Sequence, residues 1–241
     1  MLAIKKLNKT INGKKILQDI SFSVKNGEIA VFLGESGVGK STLLRALNNL
    51  EVIDSGEIYL DQKKFDFRTV HKQHIIGMVF QQFNLFDHMT VEENIAFALE
   101  KVMNVTKNNA HEISRKILKK YGLLDKSSVY PARLSGGQKQ RLALARSLAL
   151  KPRVICFDEP TSSLDPLLTA FVANNIQELA NEKYIVLIAT HDTVLLEKLD
   201  CTIYLMKNGE IVETALSKDF KLNKNSYPLI NSFITGHSSI D

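Results

Sequence analysis

Apolar and polar residues alternate along the chain in a pattern that predicts interleaved strands and helices. Between Leu2 and Val24, two short alternating segments flank Asn12-Gly13, a dipeptide that favours a tight hairpin turn. Residues 201–206 and 210–213, joined through Asn208-Gly209, predict a closing hairpin. Four apolar runs are typical of buried strands. One of them, residues 154–157, is apolar at every position, as strands buried in parallel sheets are. The four runs are residues 29–33, 75–80, 154–157 and 184–189.

Apolar residues at helical spacing predict helices between these strands. The ranges are residues 42–50, 109–121 and 138–150. A further helix starts at Asp165-Pro166, because aspartate is a good cap and proline suits the first turn. The last stretch, residues 218–241, is polar and weakly patterned, which predicts a short helix and a loose end. In the first of these helices, the buried face is predicted to contain Leu43, Leu44, Leu47 and Leu50.

A helical insert separates the second apolar run from the third. Thr90 and Glu93 form a capping box, in which each side chain satisfies a free backbone donor, and the helix that starts there runs to about residue 102. The helix over residues 109–121 has an apolar face and a basic face, and we interpret the basic face as solvated. Residues 83–134 are therefore predicted to form an inserted helical subdomain. The two faces contain Ile113, Ile117, Leu118 and Tyr121, and Arg115, Lys116, Lys119 and Lys120.

The composition is that of an ordinary globular chain, with 44% hydrophobic and 24% charged residues among 241. This length suits one large domain. The formal charge of +5 is modest and spread along the chain, which gives nucleic acid little weight as a partner. Cys156 and Cys201 both lie in apolar runs, which predicts buried free thiols in a protein of a reducing compartment. The N-terminus lacks the core of a signal peptide, and no apolar run approaches the roughly 20 residues that span a bilayer. Any membrane contact is therefore expected to come through another chain.

The segment after the first apolar run has the spacing of a phosphate-binding P-loop, with glycine, four residues, then glycine, lysine and serine. Glycines let successive backbone N–H groups curl around phosphate oxygens, and the positive end of the next helix points at the same anion. We expect Lys40 to reach the β- and γ-phosphates of a nucleoside triphosphate and Ser41 to offer its hydroxyl to Mg²⁺. The P-loop comprises Gly34, Glu35, Ser36, Gly37, Val38, Gly39, Lys40 and Ser41, and Thr42 follows it in the helix.

Two further segments have candidate chemistry. Asp158 and Glu159 end an apolar strand. After a P-loop, this position lets the aspartate hold Mg²⁺, directly or through water, and lets the glutamate polarise the attacking water. A second anion cradle is predicted where two glycines and a serine begin a helix, in the run Leu134-Ser135-Gly136-Gly137-Gln138. Two cradles in one chain suggest that the second serves a nucleotide held elsewhere.

These motifs resemble those of the ATP-binding cassette (ABC) ATPases. Residues 134–138 are identical to the signature sequence of that family, and the resemblance covers about residues 2–212. It implies an α/β fold, with a P-loop NTPase core of mainly parallel sheet flanked by helices, an N-terminal antiparallel β subdomain and the inserted α-helical subdomain. It also implies one nucleotide-binding domain over residues 1–241, in which 218–241 is a short C-terminal extension. The other matching residues, in chain order, are Gln81, Asp158-Glu159, Ser163-Leu164-Asp165 and His191.

The resemblance implies that two cassettes pair head to tail. The cradle of one copy, Ser135, Gly136, Gly137 and Gln138, would then close on the γ-phosphate held by Lys40 of the other copy. In this family an aspartate at the position of Asp165 contacts the partner cassette. The expected partner is a second copy of this chain or a homologous cassette.

The resemblance also implies an ATPase with Mg²⁺ as its cofactor. Gln81 corresponds to the glutamine that contacts Mg²⁺ and the attacking water, and its loop senses the membrane partner. His191 corresponds to the switch histidine at the γ-phosphate. The implied catalytic residues are thus Glu159, His191 and Gln81. The implied ligands of Mg²⁺ are Ser41, Gln81 and Asp158.

One position departs from the family. Most members have an aromatic residue in the first hairpin that stacks on adenine, and the matching position here is Ile11. We expect the loss of stacking to weaken nucleotide binding by about 1 kcal/mol, by analogy with aromatic pairs. Hydrolysis is expected to be retained.

Around Gln81 the chain is most similar to the ATPase subunits of bacterial polar amino-acid importers. The similarity lies in residues 78–95, 134–146 and 158–166, although Asp87 replaces a frequent proline and Ser163 a frequent alanine. The implied function is to couple ATP binding and hydrolysis to the movement of integral-membrane permease subunits. The implied location is peripheral, at the cytoplasmic face of the inner or plasma membrane. An extracytoplasmic solute-binding protein would be an indirect partner, and no nucleic acid is expected.

Three alternatives stay open on the sequence alone. The chain could drive lipoprotein release or act in cell division without moving a small solute, and residues 81–97 would distinguish these functions because they face the membrane partner. It could be a soluble cassette that binds nucleic acid or ribosomes, although such proteins usually fuse two cassettes. It could also be a nucleotide-binding module without turnover, which the presence of both Glu159 and His191 disfavours.

Overall fold

Two sheets and the helices around them make up the part of the chain that the computed structural model describes, residues 1–66, 74–161 and 166–236. The strands are β1 (Leu2–Ile11), β2 (Lys14–Val24), β3 (Ile29–Leu33), β4 (Ser55–Leu60), β5 (Lys63–Phe65), β6 (Ile76–Val79), β7 (Val154–Asp158), β8 (Ile185–Thr190), β9 (Thr202–Lys207) and β10 (Glu210–Leu216). The helices are α1 (Lys40–Leu47), α2 (Val91–Met103), α3 (Lys107–Lys120), α4 (Gly136–Ala149), α5 (Pro166–Asn181), α6 (Thr193–Glu197), α7 (Ser217–Leu222) and α8 (Pro228–Thr235).

The N-terminal sheet is antiparallel and has the order β2-β1-β4-β5. Asn12 and Gly13 turn the chain between β1 and β2 with φ angles of 50° and 78°, which is the pair of left-handed residues that a tight hairpin requires. The predicted hairpin is therefore confirmed. β4 pairs with the other edge of β1, where Ile58 lies opposite Ile4.

The central sheet has the order β10-β9-β3-β8-β7-β6. All neighbouring strands from β9 to β6 run parallel, and β10 pairs antiparallel with β9 in the predicted closing hairpin. Helices pack against the sheet, and the strands β3, β7 and β8 are buried on both faces. Ile29, Val31 and Leu33 of β3 join one core with α5, whereas Ala30 and Phe32 join a second core with α1 and the N-terminal sheet. The predicted α/β fold with a mainly parallel sheet is confirmed.

Both cysteines are buried free thiols, as predicted. Cys156 lies in β7 and Cys201 just before β9. Burial raises the pKa of each thiol to about 12, although hydrogen bonds from Asn48 and Ser217 oppose this rise. Both thiols are therefore protonated and unreactive at neutral pH.

The first helix ends earlier than predicted. α1 stops at Leu47, and Asn49 takes a left-handed conformation with φ 55°. The N–H of Leu50 donates to the carbonyl of Arg45 at 2.9 Å, and the N–H of Asn49 donates to that of Ala46 at 3.0 Å. These bonds form a Schellman end, which asparagine supports because it tolerates the left-handed region. Leu50 is consequently 56% exposed, and its prediction as a buried residue is wrong.

Two helices and a third apolar core occupy the predicted insert, residues 83–134, which we call the helical region. The capping box at Thr90 is present at the start of α2, and the basic residues of α3 are exposed, both as predicted. Glu92 of α2 is nevertheless buried, and it accepts a hydrogen bond from Arg115 at 3.0 Å and lies 2.6 Å from His111 Nδ1. This cluster ties α2 to α3.

The C-terminal stretch is more ordered than predicted. α7 is followed by one 3₁₀ turn and by α8, whose Ile230 is fully buried against the core of the central sheet. Glu213 at the end of the predicted hairpin accepts hydrogen bonds from the N–H groups of Leu229 and Ile230, at 3.4 and 2.7 Å. This carboxylate stabilises the first turn of α8, since acidic groups favour a helix N-terminus. The predicted single helix is therefore wrong, and residues 237–241 lie outside the described part.

Candidate functional site

One edge of the central sheet gathers most of the predicted site residues. β6, β7, β8 and β3 are parallel neighbours, so the segments that follow them leave the sheet at the same edge. A cavity of about 240 Å³ lies there. It is lined by Ser36, Gly37, Gly39, Lys40, Ser41, Thr42, Gln81, Glu159 and His191.

Two P-loop glycines occupy places that a larger residue cannot take. Gly39 precedes α1 with φ 107°, and a Cβ atom there would lie 2.6 Å from the carbonyl oxygen of Ile16. A Cβ atom on Gly34 would lie 2.5 Å from the carbonyl oxygen of Met206. A Cβ atom on Gly37, which has a φ of 85°, would contact no other atom. α1 has no acidic residue in its first turn and no side-chain cap, so the positive end of the helix faces the loop unneutralised.

Lys40 lies against the inside of the P-loop. Its ammonium donates to the carbonyl oxygens of Gly34 at 2.7 Å and Glu35 at 2.8 Å, and the residue is only 4% exposed. Burial lowers the pKa of Lys40, and the carboxylates of Glu159 and Asp158 oppose that change. Glu159 Oε1 is 3.8 Å from the ammonium. The cation is therefore fixed beside the cavity by backbone carbonyls and one nearby carboxylate.

Ser41 and Asp158 present two oxygen atoms to the same space. The hydroxyl of Ser41 donates to Oδ1 of Asp158 at 2.6 Å, and Oδ2 lies 3.8 Å from the guanidinium of Arg45. Across residues 1–66, 74–161 and 166–236, no group of three or more His, Cys, Asp or Glu side chains could hold a metal. A hydroxyl beside a single carboxylate still fits Mg²⁺, because this ion is usually held by one or two carboxylates together with water and phosphate oxygens.

Glu159 lies at the centre of the cavity wall in an unusual backbone conformation. Its φ is 49°, and its N–H donates to the carbonyl of Ala189 at 2.8 Å. One carboxylate oxygen is 3.0 Å from Nδ1 of His191, and the other accepts from the hydroxyl of Thr190 at 3.3 Å. A strained conformation that neighbours hold in place is common at functional sites. The contacts orient the carboxylate toward the cavity that Lys40 lines.

The second cradle lies elsewhere. Ser135 caps α4, and its hydroxyl accepts from the N–H of Gln138 at 3.3 Å, while Oε1 of Gln138 accepts from the N–H of Ser135 at 2.9 Å. Ser135 and Gly136 are exposed. Residues 135–138 do not line the cavity at the P-loop. The chain therefore keeps its two predicted anion cradles apart.

Four further predicted positions do not line this cavity or lie outside the described residues. Ile11 ends β1, is 36% exposed and is absent from the cavity wall. Glu35 and Val38 line a different cavity, of about 300 Å³, together with residues of β9, β10 and α8. Asp165, with Ser163 and Leu164, lies outside the described residues.

Two contacting residues were missed by sequence reasoning. Gln140 is buried on α4, and its amide donates to the carbonyl of Pro160 at 2.8 Å, which ties the second cradle's helix to the segment after Glu159. A polar residue among the apolar positions of α4 was the available signal. Ile16 packs its carbonyl against Gly39 and Gly209. No local pattern distinguishes Ile16 from other apolar strand residues.

Comparisons with known proteins agree with this geometry. A family model described as ABC transporter matches residues 17–162. The glutamine transport ATP-binding protein GlnQ of Geobacillus stearothermophilus is 40% identical, over 92% of this chain and 93% of its own. The L-cystine transport system ATP-binding protein TcyN of Escherichia coli is 42% identical, over 90% of each. Among solved structures, the dimeric post-hydrolysis state of the ATP-binding cassette MJ0796 with ADP and Pi superposes with a TM-score of 0.78. It is 29% identical and covers 90% of this chain and 99% of its own.

Proposed function

The chain belongs to the ABC transporter family, and on that premise we propose that it is the ATPase subunit of an importer for a polar amino acid. The observation that supports the ATPase chemistry is the single cavity that joins Lys40, Ser41, Gln81, Glu159 and His191. The chain acts as a single nucleotide-binding domain in this proposal. Its helical region, residues 83–134, is the subdomain inserted into the nucleotide-binding core.

The P-loop binds the phosphates of ATP. Backbone N–H groups of residues 36–42 and the positive end of α1 surround the phosphate oxygens. The ammonium of Lys40 already lies at the cavity wall, held by the carbonyls of Gly34 and Glu35, so little reorganisation precedes its contact with the β- and γ-phosphates. Ile11 and its hairpin face the adenine through apolar contact.

Ser41, Asp158 and Gln81 are the residues that would hold Mg²⁺. Both Ser41 and Asp158 offer oxygen atoms, and their hydrogen bond of 2.6 Å keeps these atoms together. Mg²⁺ held by these residues would supply positive charge against the negative charge that develops on the phosphate during transfer. Arg45 lies 3.8 Å from Oδ2 of Asp158, and its positive charge helps to orient that carboxylate.

Glu159 acts on the attacking water. Its carboxylate is oriented by Thr190 and lies 3.0 Å from His191, and a carboxylate so held can accept a proton as the water attacks the γ-phosphate. His191 then contacts the γ-phosphate, and the separation of phosphate from ADP breaks that contact. Gln81, which lines the same cavity, helps to orient the water.

A second copy of the chain, or a homologous cassette, completes the site. Residues 135–138 lie outside the cavity of their own chain, and their helix N-terminus is exposed. The similarity to a cassette solved as a dimer with ADP and Pi supports pairing of two cassettes. In this proposal the two chains pair head to tail, and the cradle of each closes on the partner's nucleotide. Asp165 contacts the partner in this arrangement. ATP binding closes the pair, and hydrolysis reopens it.

A membrane permease is the second partner. No helix in the described ranges is long and apolar enough to cross a bilayer. In this proposal the chain is peripheral, at the cytoplasmic face of the membrane, and residues 81–97 contact the permease. An extracytoplasmic solute-binding protein delivers the solute to that permease. The names of GlnQ and TcyN, which both refer to amino-acid transport, favour import over lipoprotein release or cell division.

The proposal is tested by reconstituting the chain with its permease in proteoliposomes. Each of a panel of amino acids is presented with the solute-binding protein, and ATP hydrolysis is measured. We expect a polar amino acid to stimulate hydrolysis several-fold, and apolar amino acids and lipoprotein to leave it unchanged. The same complex made with Glu159→Gln is the matched control for contaminating ATPases. Stimulation by a lipoprotein alone would contradict the proposal.

A further inference from the structure

Arg146 joins the helix of the second cradle to the segment that begins at Gln81. Its side chain extends from the C-terminal half of α4 and is partly buried. Nη1 donates to the carbonyl of Asn84 at 2.8 Å and Nη2 to the carbonyl of Phe83 at 3.1 Å. The guanidinium carbon is also 5.2 Å from the ring centroid of Phe86. The side chain of Arg146 therefore contacts three residues of one short segment.

The segment that Arg146 holds, residues 81–89, has little regular structure of its own. Phe83 and Asn84 are both left-handed, with φ 61° and 47°, which is uncommon for such residues and requires support from neighbours. Leu85 packs against two cores, that of the central sheet and that of the helical region. At the far end, the fully buried side chain of Asn94 bonds to the backbone of Phe86, Met89 and Thr90.

α4 connects this segment with the second cradle. Ser135 caps the helix, and Arg146 lies eleven residues further along it, a distance of about 16 Å at 1.5 Å per residue. A hydrogen-bonded helix of this length does not bend easily, so a displacement at Arg146 displaces Ser135 as well. The segment also begins at the cavity, because Gln81 lines it.

We propose that Arg146 is a positioning residue that makes residues 81–89 and the second cradle move as one unit. Permease contact with the segment would then move the cradle, and closure of the cradle on a partner's nucleotide would move the segment. The identity of what touches the segment rests on the proposed function. The connection through Arg146 does not, because it lies within one chain.

Arginine is the residue that this connection requires. Its planar guanidinium donates to two backbone carbonyls in a fixed geometry while its face packs on an aromatic ring. A lysine keeps the charge but donates from a single flexible point, so it cannot hold both carbonyls and the ring at once. Arg146→Lys should therefore loosen the segment from α4 without removing the positive charge.

The chain offers a matched control on the same helix. Arg141 also donates to a backbone carbonyl, that of Tyr121 at 2.9 Å, and its guanidinium lies 5.6 Å from the ring centroid of Phe171. It makes these contacts away from residues 81–89. Arg141→Lys is thus the same substitution in the same helix, and it removes the same kinds of interaction.

The first experiment measures the connection in the isolated chain. Spin labels are placed at Asp87→Cys and Ala132→Cys, two exposed positions at the segment and just before the cradle, and the buried native thiols remain unlabelled. We expect Arg146→Lys to widen the distribution of label-to-label distances, Phe86→Leu to widen it less, and Arg141→Lys to leave it unchanged. Thermal unfolding identifies any variant that does not fold. An unchanged distribution in folded Arg146→Lys, or equal widening in Arg141→Lys, overturns the proposal.

The second experiment measures coupling in the complex with the permease. For Arg146→Lys we expect the KM for ATP and the basal turnover to stay within about twofold of the parent chain. Solute transported per ATP hydrolysed should fall about tenfold, the effect of removing roughly one hydrogen bond from a charged donor. Parental coupling in this variant overturns the proposal. If the parent complex responds to no amino acid, the proposed function fails instead, and the label distances still decide the role of Arg146.

Discussion

The two glycine-rich cradles of the chain, the P-loop and residues 135–138, have the same local design and very different surroundings. Both precede a helix and leave backbone N–H groups facing outward. The P-loop lies where four parallel strands end, so its Lys40 and Ser41 share one cavity with Glu159, which follows a neighbouring strand. The other cradle is exposed on α4, and its two polar side chains bond to each other's backbone N–H groups instead of to neighbours.

This difference explains how two similar helix N-termini can take different roles in the proposed function. A helix N-terminus attracts an anion wherever it lies, but catalysis also needs a cation, a metal ligand and a base at short distances. Within the described ranges, the topology of the sheet places candidates for these groups beside the P-loop. The capping box at Ser135 instead holds the N-terminus of α4 in place, and in the proposed function this N-terminus binds an anion that the partner chain carries. Substitutions at the two cradles can therefore test whether ATP binding by one chain is separable from closure of the pair.

The largest effect is expected from Glu159→Gln. This substitution removes the proposed general base and keeps a side chain of nearly the same size in the cavity. We expect ATP hydrolysis to fall about 10³-fold, because a general base contributes roughly 10²–10⁴-fold. ATP binding should persist. The P-loop of each chain should stay closed against residues 135–138 of the other, and gel filtration with ATP present should detect this dimer. Glu210→Gln, at an exposed glutamate of β10, is the control and should hydrolyse normally. Parental turnover in Glu159→Gln would disprove the role of the base.

A second prediction separates the cradles directly. Gly136→Asp places a negative charge at the exposed cradle, where it repels the partner's γ-phosphate, so turnover should fall about hundredfold. Because the P-loop of the same chain is untouched, ATP binding by the monomer should change by less than about twofold. Lys40→Ala should weaken that binding instead.

Mixing the two variants tests the same separation in the dimer. A pair with one Gly136→Asp chain and one Lys40→Ala chain contains one intact composite site, made by the Lys40 of the first chain and the cradle of the second. We expect turnover from the mixture well above that of either variant alone. If Gly136→Asp abolishes ATP binding by the monomer, the cradles are not separate.

The sequence predicts those parts of the structure whose cause is local. β3, β7 and β8 end within one residue of their predicted limits, since strands buried on both faces must be apolar throughout. The early end of α1 depends on the left-handed Asn49, which spacing alone does not reveal. α8 was missed because its anchor, Glu213, lies sixteen residues before Leu229 in the chain and acts only after folding.

The candidate site divides in the same way. Motif spacing identified Lys40, Ser41, Asp158 and Glu159, because phosphate and Mg²⁺ chemistry requires those residue types. It could not identify what holds them, such as the carbonyls that bind Lys40 or the contact of Gln140 with Pro160. Such contacts join residues that are distant in sequence or use backbone atoms, which every residue has.

A third prediction sharpens the P-loop side of the comparison. Ile11→Tyr restores an aromatic ring at the hairpin position that the family uses for adenine, and Ile11 is exposed enough to accept it. Stacking worth about 1 kcal/mol should tighten ATP binding about fivefold without changing turnover. Calorimetry with ATP measures the affinity, and Ile11→Leu, which adds no ring, is the control. No tightening would mean that adenine does not contact this position.

The smallest effect is expected at Glu92, which joins α2 to α3 in the helical region that precedes the exposed cradle in the chain. Burial raises the pKa of its carboxyl, but the hydrogen bonds from Arg115 and His111 outweigh burial and hold the pKa below its usual value of 4.5. A carboxyl with a lowered pKa stabilises the fold above pH 4.5, and this stabilisation disappears as the pH falls through the lowered value. Glu92→Gln should therefore cost about 0.5–1 kcal/mol at pH 7, a small amount because Arg115 is largely exposed.

This cost should shrink as the pH falls below about 4.5, where the parent chain loses the same interaction. Urea unfolding of both chains at pH 7 and at pH 4 measures the difference, and amide exchange locates it in α2 and α3. ATP affinity at neutral pH should be unchanged, because the P-loop takes no part in the cluster. A difference that grows on acidification would show that Glu92 is not ionised in the folded chain.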